Sequence, residues 1–311
     1  MNQTFSFNEI SCLWKEKKRN QVKLTSLAAY STCIDKYLLP VFHNITDITE
    51  QSVRKFIETK LKDGLSLKSI RDILVVLKMI VRFAGSMHIP VDWDCRLLLP
   101  KDLKNKSLHV FTQSQQTMLM NYLTSNQTPK NIGILICLST GLRIGEICGI
   151  KWKDMDLKSE TLSVNKTVCR TYLENQDLKK TEVLITSPKT LHSYRTIPLP
   201  TQVKRILAKI SKGKDPEMFF LTSSSRPMEP RTYRNYFRKV LKSLGLPQVK
   251  FHCLRHSFAT RCIENQCDYK TVSAILGHAD ISTTLNLYVH PSFDQKRRCI
   301  ETMVSSISSG G

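Results

Sequence analysis

No stretch of the 311-residue sequence approaches the roughly 18 consecutive apolar residues that a bilayer span requires. The first residues, MNQTFSFNEI, lack the basic-then-apolar order of a secretory signal. None of the ten cysteines stands in a C-x-x-C pair, and a chain this long can build a core without covalent staples. The motifs H-E-x-x-H and G-x-x-x-x-G-K-[ST] are both missing. These absences disfavour a membrane protein, a secreted disulfide scaffold, a zinc hydrolase and a P-loop ATPase. His252, Cys253, His256, Cys262 and Cys267 cluster in sequence as metal ligands do. Yet Cys253 lies between two histidines on what reads as one helix, so it points to a different face. No metal and no cofactor is expected. The thiols read as small apolar groups of a soluble protein in a reducing cytoplasm.

Acidic residues are also scarce, 26 against 47 Lys and Arg, for a net charge of +21. The surplus is not one basic tail. Residues 1–106 hold 18 Lys and Arg against 11 Asp and Glu, a net of +7, and the rest carries +14. Charge on this scale concerns partners rather than fold, and a polyanion such as DNA or RNA is the expected one.

The first hundred residues read as helices. Ser6 with Glu9 suggests a capping box, and a helix through Ala28, Tyr30, Ile34, Tyr37 and Leu38 should stop near Pro40. Thr49 should cap a third, through about Lys62, before the Asp63-Gly64 turn. Leu67, Ile70, Leu74, Leu77, Val81 and Ala84 form one apolar stripe at helical spacing. The expected domains are a helical DNA-binding unit over 1–89, a linker over 90–106 and a second unit over 107–311. In that second unit, Thr112 should cap a helix to about Leu123, and an apolar helix at Ile132–Leu138 runs into Gly141. Strands are expected at Thr161–Val164, Val168–Leu173, Val183–Thr186 and Thr196–Leu199. The last two flank Ser187-Pro188-Lys189, read as a hairpin turn with a lysine at its tip. The fold class is mainly α with a small antiparallel sheet.

Four segments hold cations or a phenol in apolar surroundings. They are T-G-L-R-I-G-E with Arg143, the hairpin with Lys189, H-C-L-R-H-S-F-A-T with His252 and Arg255, and L-G-H followed by Y-V-H with His278 and Tyr288. Taken singly, each is as well explained by packing or by a surface ion pair such as Arg143 with Glu146. Together they place arginines, histidines, a lysine and a phenol in one set, with no acidic pair to hold Mg²⁺. Such a set suits attack on a phosphodiester.

In that order these segments resemble the boxes of the tyrosine site-specific recombinases, the phage integrase family. No member of the family's active-site pattern departs. The resemblance covers residues 107–290 by motif and the first half by architecture. It implies a SAM-like core-binding domain, then a catalytic domain. Tyr288 would attack the scissile phosphate, giving a 3′-phosphotyrosyl bond. Arg143 and Arg255 would hold the non-bridging oxygens, His252 and His278 would donate to the same group, and His252 is a candidate to take the tyrosine proton. Lys189 would be the general acid, with Lys179, Lys180, His192 and Arg195 as rivals. His256 and Glu146 are expected to serve packing and arginine orientation, and His290 is left undecided.

The family also implies double-stranded DNA recombination sites as partner, a homotetramer on two sites, and room for accessory DNA-bending or directionality factors. The last helix, about 292–306, would dock on a neighbouring protomer. The first helix begins almost at residue 1, so a simple recombinase without an arm-binding domain is expected. It would work in the cytoplasm of a bacterial or phage-infected cell, at the nucleoid. An integrase–excisionase of a mobile element is the leading reading. An invertase or resolvase, an inactive DNA-binding regulator and a type IB topoisomerase are the rivals.

Overall fold

Reciprocal side-chain caps set several helix starts. In the computed structural model, residues 5–93, 109–175, 178–187, 193–288 and 293–308 are described. The Thr49 hydroxyl accepts from the Ser52 N–H at 3.2 Å while the Ser52 hydroxyl accepts from the Thr49 N–H at 3.0 Å. This pair opens helix α3 (Glu50–Lys62), after α1 (Phe7–Arg19) and α2 (Leu24–Cys33). Ser6 does precede α1, but its side chain makes no cap bond. The Phe7 N–H donates instead to the His43 carbonyl at 2.8 Å, so the expected Ser6–Glu9 box gives way to a tertiary bridge. Helix α4 (Leu67–Ser86) buries the foreseen stripe from Ile70 to Ala84, leaves Leu67 half-buried, and widens the stripe with Ile73, Val76 and Ile80. Its face meets Trp14, Phe42 and Phe56 in one apolar core.

The chain divides into two compact units, Met1–Lys106 with Thr171–Glu182, and Ser107–Arg170 with Val183–Gly311. Most of the segment read as a linker, residues 94–106, lies outside the described residues.

The second unit is built round α6 (Pro129–Thr140). Ile132, Ile134, Leu135, Ile136 and Cys137 are fully buried, so this helix is apolar on every side. Helix α5 (Gln113–Ser125) starts at a Thr112–Gln115 capping box. After α7 (Ile144–Gly149) come strands β1 (Met155–Asp156), β2 (Thr161–Val164), β3 (Thr167–Asn175), β4 (Leu178–Thr186) and β5 (Arg195–Pro198). Strand β2 pairs antiparallel with β1 on one side and with β5 on the other, with Leu162 opposite Ile197. Strands β3 and β4 form a separate two-stranded sheet, most of which (Thr171–Glu182) groups with the first unit.

This corrects the expected hairpin. Strands β4 and β5 are consecutive but pair with different partners, so the segment between them joins two sheets. Leu162 and Ile197 are both buried in the core, and this gives β5 its place beside β2. Lys189 itself lies outside the described residues.

Helices α8 (Thr201–Ile210), α9 (Pro230–Ser243), α10 (Cys253–Glu264), α11 (Tyr269–Leu276), α12 (Ser282–Tyr288) and α13 (Phe293–Ser308) complete the unit. Helix α10 packs on α6, and α12 packs on both α10 and α11. On α13, Ile300, Met303 and Val304 are exposed. No helix among the described residues is long and apolar enough to cross a membrane.

Candidate active site

The site grows out of two helix C-termini. Helix α6 ends at Gly141, whose φ of +69° turns the chain sharply. A Cβ there would lie 2.6 Å from Leu276 Cδ2 and 2.8 Å from Phe258 Cδ1, so glycine is required for space as well as for backbone. Two residues later Arg143 caps α7 and turns back toward the second terminus, that of α11, where Gly277 takes φ +64°.

The last carbonyls of α11 have no helical donor, and three arginines supply donors. Arg195 Nε donates to the Ile275 carbonyl at 2.6 Å. Arg255 Nη2 donates to the Leu276 carbonyl at 2.8 Å, and its Nη1 to the Gly141 carbonyl at 2.8 Å. Arg143 makes longer bonds, 3.4 Å to Leu276 and 3.3 Å to Gly277. The L-G-H segment thus does more than present His278. Its backbone is the anchor on which Arg143 and Arg255 converge.

Glu146 holds this cluster together. It is 3% exposed and accepts from the Arg143 backbone N–H (2.9 Å), Arg143 Nη1 (2.8 Å), Arg195 Nη2 (2.9 Å) and Arg195 Nη1 (3.1 Å). Burial alone would raise its pKa, but the hydrogen bonds and charges of Arg195 and Arg143 outweigh burial and hold it below the ordinary carboxylate value. The expected role in arginine orientation is what this geometry provides. Arg195, weighed in the sequence only as a rival proton donor, belongs to this network. No local signal points there, since its partners are 49 and 80 residues away.

Helix α10 brings His252 at its N-cap, and Arg255 and His256 in its first turns. Arg255 is 2% exposed. Burial first, and the neighbouring Arg143 next, weaken its hold on the proton, which Glu146 partly restores. His252 keeps a solvent-exposed edge, yet desolvation of the ring, followed by the charges of His256, Arg255 and Arg143, lowers its pKa to about 4. His278 is lowered to about 4 by burial and then by Arg255 and Arg143, and its Nδ1 lies 2.7 Å from the Thr284 hydroxyl. Both imidazoles are therefore neutral at neutral pH and can each donate through one N–H.

Tyr288 closes the site from α12. It is 7% exposed, in a small apolar cluster with Ala259, Val272 and Leu276. Burial raises its pKa, and Arg255 and Arg143 pull the other way without cancelling the rise. Its hydroxyl lies 2.7 Å from His256 Nδ1. His256, expected to serve packing and arginine orientation, sets its ring against the phenol, while the His252 ring stands perpendicular to that of His256 at 4.5 Å. The i, i+4 spacing placed both histidines on one face. Their order relative to a tyrosine 32 residues on was not legible. Five of the six predicted residues, Arg143, His252, Arg255, His278 and Tyr288, thus come from four adjoining elements of one unit. Lys189 and His290 lie outside the described residues.

Residues 109–295 match the phage integrase family, and residues 6–61 match the N-terminal SAM-like domain of phage integrases. The chain belongs to the phage integrase family. Over 185 residues it is 31% identical to a tyrosine recombinase XerC-like protein of Caldanaerobacter subterraneus subsp. tengcongensis, a match covering 54% of this chain and 47% of that one. Over 225 residues it is 30% identical to the transposase from transposon Tn916 of Enterococcus faecalis, covering 66% and 53%. The chain spans about half the length of these curated relatives. Among solved structures, the Tn1549 transposon integrase in complex with a circular intermediate DNA superposes with a TM-score of 0.77 at 22% identity, covering 96% of this chain and 99% of that one. A lambda integrase tetramer bound to a Holliday junction gives 0.64 at 18%, covering 94% and 80%. The fold is therefore that of the integrases, mostly helical with small antiparallel sheets, as the sequence led us to expect.

Proposed function

We propose that this chain is a site-specific DNA recombinase, the integrase–excisionase of a mobile element, that cleaves and rejoins DNA through a 3′-phosphotyrosyl intermediate. The observation that carries the reading is the convergence of Arg143 and Arg255 on one carbonyl beside two neutral histidines and a buried tyrosine. The weak 3.3–3.4 Å bonds of Arg143 can be exchanged for phosphoryl oxygens, and the guanidinium fork matches their geometry. His252 and His278, neutral, would donate to the same group. Tyr288 would displace the 5′-oxygen, which Lys189 would protonate. The covalent link conserves the phosphodiester energy, so no ATP is needed. The 5′-hydroxyl of a second duplex then attacks the phosphotyrosine.

Residues 1–89 would bind the core site as a separate helical domain, joined by 90–106 to the catalytic part, 107–311. Four copies would assemble on two DNA sites, and the lambda integrase tetramer on a Holliday junction supports that arrangement. The exposed Ile300, Met303 and Val304 would dock α13 on a neighbouring copy. The named transposase relative favours a mobile element over an invertase or resolvase. Work in the cytoplasm, at the nucleoid, with accessory directionality factors, follows from this reading.

The test is a duplex nicked near the cleavage point and resolved on a denaturing gel. The wild-type chain should leave a covalent protein–DNA band. Tyr288→Phe should bind the site equally well and leave none. A persistent band in Tyr288→Phe would place the nucleophile elsewhere.

A further inference from the structure

We propose that His256 is the proton acceptor for the nucleophile: its Nδ1, against the Tyr288 hydroxyl, takes the phenolic proton as the oxygen bonds to phosphorus, and returns it on rejoining. This rests on the recombinase reading and assigns a step within it. The geometry is direct. Nδ1 and Oη are 2.7 Å apart, within reach for proton transfer, and the two rings are 5.6 Å apart at 54°. The tautomer with its proton on Nε2 leaves Nδ1 as acceptor.

The surroundings keep that acceptor open. The groups facing it are His252 and Arg255 from its own helix and Tyr288 from α12, with Arg143 bearing on Tyr288 from the turn after α6. Burial, then Arg255, lower the His256 pKa, so the ring is unprotonated at neutral pH. Tyr288 has its pKa raised, so a standing tyrosinate is not available, and the proton must leave during attack. His252 remains free of this task and can serve the phosphoryl group.

The protons balance. In cleavage the Tyr288 Oη–P bond forms, the P–O5′ bond breaks, and His256 becomes imidazolium. The 5′-oxygen takes its proton from the general acid assigned to Lys189. In rejoining, the attacking 5′-hydroxyl returns its proton to that acid while imidazolium reprotonates Tyr288. Nothing outside the site is consumed.

The experiment is single-turnover cleavage of the nicked duplex by the full chain, with DNA binding measured in parallel. His256→Ala should cleave roughly 10²–10⁴-fold more slowly at neutral pH, with binding unchanged. Its rate should climb as pH rises, and added imidazole should restore much of it. His256→Asn keeps an acceptor where Nδ1 was but carries no proton, so it should stay slow. Full rate in His256→Asn would reduce the residue to a hydrogen bond and overturn the proposal. So would an unslowed His256→Ala, or a slow one that imidazole does not rescue. Failure of the recombinase reading looks different, because the wild-type chain itself would then leave no covalent adduct.

Discussion

Glu146→Gln keeps the shape of the side chain and removes its charge, where two guanidiniums depend on it. The carboxylate accepts four hydrogen bonds, two on each oxygen. An amide retains one acceptor oxygen and turns its NH₂ toward two of the four donors. The Arg195–Glu146 pair is 7% and 4% exposed, so removing one partner strands a buried cation, a loss of about 3–5 kcal/mol. The Arg143 side chain is 37% exposed, and water replaces most of what it loses, so its share is about 0–1 kcal/mol. A total near 3–5 kcal/mol is expected. Urea unfolding can read it with Trp14 and Trp93 changed to Phe, so that Trp152 alone reports this unit. The double variant Glu146→Leu, Arg195→Met removes both charges and should recover a large part of the loss. A cost under about 1 kcal/mol, or a double variant no better than the single, would refute the argument. The pH dependence carries the same sign. A carboxylate whose folded pKa is depressed contributes fully above its ordinary 4.5, and that contribution drains away as pH falls through the lower folded value. In Glu146→Gln this acid-side loss should vanish.

Two further outcomes are expected. A Cβ on Gly145 would lie 2.4 Å from Thr167 Oγ1 and 2.7 Å from the Val168 carbonyl, so Gly145→Ala should push α7 off β3. It should cost about 1–3 kcal/mol and slow cleavage through Arg143, and an unchanged melting temperature would contradict this. Lys189→Ala should slow cleavage roughly 10²–10⁴-fold, and a bridging 5′-sulfur substrate, whose leaving group needs no proton, should restore most of the rate. Rescue of Lys180→Ala in place of Lys189→Ala would reassign the general acid.

Much of the scaffold was legible because it is decided within a turn or two of chain. Thr49 and Thr112 announce α3 and α5 through bonds three residues long. The stripe on α4 needs only the helical period. Ser6 failed by the same measure, since its local box lost to a bridge toward His43 and Asn44. Strand pairing lies beyond that range. A strand takes the neighbour that completes a buried face, so β5 joined β2 across Leu162 and Ile197 rather than its predecessor β4.

The site divides along the same line. The sequence by itself determined which chemical groups are present, and that an apolar helix would run into Gly141 ahead of Arg143. Only the tertiary structure decided what those groups touch. Arg143, Arg195 and Arg255 meet because the end of α11 leaves carbonyls without donors, and guanidiniums from three other segments reach them. His256 meets Tyr288 because α12 packs on α10. A helical period relates residues three or four apart, whereas a buried donor bonds to the acceptor that packing brings within 3 Å, however distant in the chain.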